Sequence, residues 1–216
     1  MYSRTRIKVC GMTTVEDAEE AIRLGVDAIG FIFAEQSRRY ISPDKVKEIV
    51  ACLPPFIHLI GVFVDSDPVE VEEIIDYCGL THVQLHGRES VEYCHKLAQS
   101  VSPCRVIKAF RVSPQTSAAD FAPYEESVGG YLLDTFATEQ AGGTGQTFDW
   151  SRIESFKAKR PIVLAGGLCP ENIAEAIRQV RPFAVDVNSG VEIEPGRKDY
   201  GRLYQLVQLV QAIDRE

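Results

Sequence analysis

Long hydrophobic runs are missing from this chain of 216 residues. The longest apolar stretch, from about Pro54 to Val64, is interrupted by His58. It falls well short of the ~20 residues that cross a bilayer, so no membrane association is expected. Met1 to Val9 carries charge but leads into no apolar segment, which argues against a secretory signal. The six cysteines (Cys10, Cys52, Cys78, Cys94, Cys104 and Cys169) lie far apart and form no C-x-x-C pair. That spacing disfavours a zinc site or a disulfide framework and suits the reduced thiols of a cytoplasmic protein. Histidine is scarce, and His58, His82 and His95 stand in no metal-ligand pattern. Basic clusters are also lacking: 23 Lys and Arg against 31 Asp and Glu leave a net charge of -8. A nucleic-acid surface is therefore not expected.

What the chain has is the ordinary balance of a globular protein, 45% apolar and 25% charged residues. No low-complexity tract or polar linker divides it, so a single domain over residues 1–216 is expected. Eight short apolar runs recur along it: Ile7–Cys10, Ala28–Phe33, Leu59–Val64, His82–Leu85, Val106–Phe110, Gly130–Asp134, Ile162–Ala165 and Ala184–Val187. Near-continuous apolar strands of this length suit a parallel sheet buried on both faces. Helical stretches lie between them. Thr14 caps one, with Glu16 and Asp17 in its first turn; Ser42-Pro43 and Asp67-Pro68 open two more. Cys169-Pro170-Glu171 reads as a further start, although Cys caps poorly. The helix after the fifth strand is weak, squeezed between Ser113-Pro114 and Ala122-Pro123, and the last runs over about Tyr200–Ile213. The pattern predicts an α/β protein, a single (β/α)8 TIM barrel. An open doubly wound sheet is the alternative, disfavoured because no G-x-G-x-x-G follows the first strand.

In such a barrel the chemistry sits where strands end at the C-terminal mouth. Strand one ends in Cys10-Gly11, strand four in His86-Gly87, and strand six in Asp134-Thr135. A thiol and a carboxyl group facing each other over one ligand can act as base and acid, provided the surroundings separate their protonation states. Cys10 can equally be a small residue filling a strand end, and it needs a nearby cation or helix terminus to ionise. Asp134 is either an acid or a loop-organising carboxylate. Gly166-Gly167 after strand seven, and Ser189-Gly190 with Asn188 before it after strand eight, fall at the usual phosphate corner of these barrels, or else are two ordinary tight turns. There glycine lets an anion approach backbone N–H groups. With an acidic surface, such a site must be locally positive, from backbone N–H groups and one or two Arg. Arg39 is a candidate for a carboxylate or a solvated surface residue, and His86 a ligand contact or a structural histidine. Asp186 sits within strand eight. The glycine-rich segment Gly142–Gly145 is either a lid or a plain connection.

Taken together these segments resemble the phosphoribosylanthranilate isomerase family of tryptophan biosynthesis. The matching stretches are Lys8–Thr13, Ser37–Pro43, Gly61–Val64, Val83–Gly87, Leu132–Thr135, Gly142–Trp150, Leu164–Asn172 and Val185–Lys198, in order over nearly the whole chain. The resemblance implies a cofactor-free Amadori rearrangement of N-(5-phosphoribosyl)anthranilate to 1-(2-carboxyphenylamino)-1-deoxyribulose 5-phosphate. It implies Asp134 as general acid, Cys10 as general base and Arg39 on the anthranilate carboxylate. Gly166, Gly167, Ser189 and Gly190 match the phosphate turns, while His86 and Asp186 match positions near the ligand. The chain departs from the family pattern at Glu35 (often proline), Gln146 (often basic) and Asn188 (often serine), though Asn188 still donates a hydrogen bond. The expected partner is a small phosphoribosyl substrate, and the expected state a monomer or homodimer. Two rivals stand beside this: another phosphosugar barrel such as an epimerase, which usually needs a metal, and a catalytically silent phosphate-binding barrel.

Overall fold

Eight apolar runs become eight parallel strands because each finds its backbone partners on both sides. The computed structural model describes residues 4–134, 150–156 and 158–215. The strands are β1 (Arg6–Val9), β2 (Ala28–Ile32), β3 (His58–Phe63), β4 (His82–Leu85), β5 (Arg105–Arg111), β6 (Gly130–Asp134), β7 (Ile162–Ala165) and β8 (Ala184–Val187). Each pairs with the next, and β8 pairs with β1, which closes the barrel. In the closing ladder Lys8 lies directly opposite Asp186 and Val9 opposite Val187.

Side chains alternate across a strand, so every second residue points into the barrel. Lys8, Ile60, Gln84, Ile107, Leu132, Val163 and Ala184 line an interior cavity toward the strand N-termini. One step along, Cys10, Ile32, Val62, His86, Asp134, Ala165, Asp186 and Asn188 line the cavity at the opposite mouth. The outward set, including Val9, Ile29, Phe31, Phe63, Val83, Leu85, Leu133, Leu164 and Val185, is buried beneath the helices and forms the main core.

The helices begin where the cap residues place them. Thr14 accepts from the Asp17 N–H at the start of α1 (Val15–Arg23). Ser42 caps α2 (Pro43–Ala51), and Asp67 caps α3 (Pro68–Cys78), each with proline in the first turn. Ser90 caps α4 (Val91–Ser100). As the prolines around it imply, α5 is one turn, Ala118–Phe121, continued by a 3-10 turn over Ala122–Tyr124. The start of α6 differs from expectation. Asn172 accepts the Cys169 N–H at 2.9 Å and donates to the Gly167 carbonyl at 3.0 Å, so residues 169–172 form a closed turn. The helix proper is Ile173–Val180. The last helix, α7 (Tyr200–Ile213), buries Leu203, Leu206, Val207 and Val210, each contributing about 1.5–3 kcal/mol by removal from water.

Between β8 and α7 the chain makes a small antiparallel hairpin, β9 (Glu192–Glu194) with β10 (Arg197–Lys198). It is tied to the barrel mouth. The buried Asp17 carboxylate on α1 accepts the Lys198 N–H at 3.0 Å and the Tyr200 hydroxyl at 3.1 Å, and Thr13 donates to the Gly196 carbonyl at 2.6 Å. Among the described residues, no helix is long and apolar enough to cross a membrane.

Candidate active site

A cavity of about 230 Å³ opens at the C-terminal mouth. Nine of the residues singled out from the sequence line it: Cys10, His86, Asp134, Gly166, Gly167, Asp186, Asn188, Ser189 and Gly190. Cys10 and Asp134 therefore open into one space, from β1 and β6, on separate walls. Cys10 follows β1 directly, held by its N–H donating 2.8 Å to the Val187 carbonyl.

The glycine turns form the β7–β8 side of the wall. Gly166 and Gly167 have φ of 93° and 65°, left-handed backbone that glycine adopts without strain, and both line the cavity. Gly190 is required for another reason: a Cβ there would collide with the Leu168 carbonyl oxygen and lie 2.9 Å from the Cys169 Cβ. The two turns can thus approach this closely only with no side chain at residue 190.

Charge at the mouth is paired and buried. Lys8 Nζ lies 2.7 Å from Asp186 Oδ2 inside the barrel, both nearly inaccessible to solvent. Burial works against the Lys8 ammonium, but Asp186 and Cys10 outweigh it and its pKa is raised. Burial pushes the Asp186 carboxyl up, with Lys8 pulling the other way. It also pushes the Cys10 thiol up, opposed by Lys8 and, more weakly, by Lys198. Lys198 Nζ donates to the Cys10 carbonyl at 2.6 Å, to Asn188 Oδ1 at 3.2 Å and to Glu192 Oε1 at 2.8 Å. Asn188 accepts that bond through its amide oxygen.

His86 Nε2 stands 3.6 Å from Asp134 Oδ2, too far for a good hydrogen bond but close enough for charge to matter. Gln84 Nε2 lies 2.8 Å from His86 Nδ1. Gln84 thereby orients the ring so that Nε2 faces Asp134. Gln84 Oε1 and Asp186 Oδ1 are buried acceptors with no hydrogen-bond partner among the described residues. Both residues line the cavity, so donors such as sugar hydroxyls would satisfy them.

Arg39 is placed differently from the other nine. It does not line the cavity; its Nε and Nη2 form a bidentate pair with Glu192, with Nη2 to Oε2 at 2.6 Å. Its stem lies over Gly11, where a Cβ would come within 2.8 Å of the Arg39 Cδ. The pair leaves the Nη1 edge for a further acceptor. The glycine-rich Gly142–Gly145 segment and Gln146 lie outside the described residues. No three His, Cys, Asp or Glu side chains among the described residues gather to hold a metal ion.

Four residues of the site carried no role in the sequence reading. Lys8 and Gln84 had a weak signal: each is a polar residue at an inward position of a short strand whose outward residues are apolar. Glu192 and Lys198 fall in the matching stretch Val185–Lys198, but they reach the mouth through a hairpin whose position only the fold reveals.

A closed (β/α)8 barrel with ionisable side chains and paired glycine turns around one cavity defines a barrel enzyme with a small-molecule site at that mouth. The family model for N-(5'-phosphoribosyl)anthranilate isomerase matches residues 7–209, and the chain belongs to that family. A relative from Citrifermentans bemidjiense, named N-(5'-phosphoribosyl)anthranilate isomerase, is 47% identical over 94% of this chain and 95% of its own length. A solved isomerase structure, in complex with reduced 1-(o-carboxyphenylamino)-1-deoxyribulose 5-phosphate, superposes with a TM-score of 0.83. It is 41% identical, over 96% of this chain and 99% of that one. Monomers generated from the dimeric isomerase of Thermotoga maritima superpose with a TM-score of 0.82 at 40% identity, with the same coverage.

Proposed function

We propose that this chain isomerises N-(5-phosphoribosyl)anthranilate to 1-(2-carboxyphenylamino)-1-deoxyribulose 5-phosphate, the Amadori step of tryptophan biosynthesis, with Asp134 as general acid and Cys10 as general base. Asp134 gives its proton to the ribose ring oxygen as the C1–O bond opens, leaving a protonated Schiff base. The Cys10 thiolate then takes the C2 proton, and the resulting enolamine tautomerises to the ketone. One proton leaves the acid and one reaches the base, so no external donor is consumed.

The observation that carries this reading is that Cys10, Asp134 and both glycine turns line one cavity. The turns at Gly166-Gly167 and Ser189-Gly190, with Asn188 beside them, receive the phosphate on backbone N–H groups. Asp186 and His86 contact the sugar, and Arg39 turns its remaining edge to the anthranilate carboxylate, oriented by Glu192. The lid role of Gly142–Gly145 belongs to the same proposal. The test is an assay of the purified protein with freshly generated phosphoribosylanthranilate. A rapid, enzyme-dependent fall in anthranilate fluorescence is expected; no acceleration over the spontaneous rate would refute the assignment.

The dimeric state named for the Thermotoga relative supports a homodimer here. The widely spaced, free cysteines support a cytoplasmic location.

A further inference from the structure

Cys10 has a problem that its role as base does not solve. A buried thiol ionises poorly, because burial disfavours the anion, yet only the thiolate removes a carbon-bound proton. The charged groups facing it are Lys8 on its own strand, Asp186 on β8, Lys198 on β10 and Arg39 after β2, the last already paired with Glu192. Lys198 is committed to the Cys10 carbonyl, Asn188 and Glu192.

Lys8 is placed otherwise. It stands two residues before Cys10 on β1, so both side chains point into the barrel. The bare backbone of Gly30 on β2 makes the space they share: a Cβ there would lie 2.9 Å from Cys10 Sγ and 3.2 Å from Lys8 Nζ. Opposite, the register brings Asp186 to Lys8, with its Oδ2 2.7 Å from Nζ. The ammonium thus lies between a carboxylate and the thiol, sealed from water.

We propose that Lys8 is the positioning residue that sustains Cys10 as a base, its fixed ammonium compensating the charge that the thiolate acquires, while Asp186 holds that ammonium in place. This rests on the reading of Cys10 as general base. Lys8 touches no reacting atom; it acts through the sulfur. Asp186 has two opposed effects, holding the cation and adding a negative charge of its own near the thiol.

The test measures the ionisation of Cys10 without substrate. The purified protein is alkylated with iodoacetamide over a pH series, and the Cys10 peptide is quantified by mass spectrometry to separate it from the other five cysteines. Lys8→Met, which keeps the length of the stem, is expected to raise the Cys10 midpoint by about one unit or more, a roughly tenfold loss of thiolate. The Lys8→Met enzyme should also lose about tenfold in kcat with KM little changed. An unchanged or lower midpoint in folded Lys8→Met overturns the proposal. If that variant does not fold, Lys8→Gln is measured in the same way, and an unchanged or lower midpoint there overturns the proposal. Should Cys10→Ala keep full turnover, the base assignment fails, and the alkylation midpoints still decide whether Lys8 controls the sulfur.

Discussion

Gly30 and Gly190 show how single hydrogen atoms set this mouth. At Gly190, Ala would drive its Cβ into the Leu168 carbonyl oxygen and the Cys169 Cβ. That separates the two glycine turns, at a cost of about 1–3 kcal/mol of overpacking. Gly190→Ala should therefore raise the KM for the phosphorylated substrate more than it lowers the melting temperature; an unchanged KM would remove the turn from phosphate binding. Lys8 and Gln84 were legible as polar residues alternating with apolar ones in short strands, but not as partners of Cys10 and His86. A sequence shows that a lysine sits in a buried strand, and only the barrel's closing register shows that Asp186 faces it. Arg39 was legible as an anion-binding type of residue, while its clamp, Glu192, lies far along the chain at the start of the hairpin.

At the scale of elements, the β9–β10 hairpin connects the outer helices to the chemistry. Its position depends on Asp17, a buried carboxylate on α1 holding the Lys198 N–H and the Tyr200 hydroxyl. Asp17→Ala leaves that buried N–H unpaired and should destabilise the protein by about 2–3 kcal/mol. It should also lower activity, because Lys198 and Glu192 lose their register beneath Cys10 and Arg39; calorimetry and the fluorescence assay together check this. Wild-type stability in the variant would mean the hairpin is held by other contacts. Element boundaries were readable where physics is local. β4, β6, β7 and β8 coincide with their apolar runs, and three helices begin at the expected Thr14, Ser42 and Asp67 caps. The start of α6 was not, since Asn172 folds its side chain back on the Cys169 N–H and delays the helix to Ile173.

For the whole molecule, the two ends of the barrel differ: the candidate site lies at one mouth, and the basic side chains of Arg6, His58, His82 and Arg105 gather at the other. There His82 is pushed down to about 4 by burial, with His58 and Arg105 adding to it. A histidine depressed on folding binds its proton more readily in the unfolded chain. Its contribution is complete above the ordinary value near 6.5 and is lost as pH falls toward 4, amounting to roughly 1–3 kcal/mol. Urea unfolding at pH 7 and pH 4.5 should show this loss, and His82→Gln should remove part of the difference; an equal pH dependence in the variant would contradict it. Phe56 is 99% exposed in the loop between α2 and β3, an aromatic ring without cover on the surface of one chain. As a contact in the proposed homodimer, it predicts that Phe56→Ser shifts the mass seen by light scattering toward the monomer, whereas an unchanged mass would exclude it.

The central claim is that Cys10 and Asp134 work on one sugar from two walls of the same cavity. It is tested most directly by following anthranilate fluorescence with the wild-type protein, Cys10→Ala and Asp134→Asn side by side. Both variants should slow turnover by about 10²–10⁴-fold while still binding reduced 1-(o-carboxyphenylamino)-1-deoxyribulose 5-phosphate. Turnover near the wild-type rate in either variant would contradict the account.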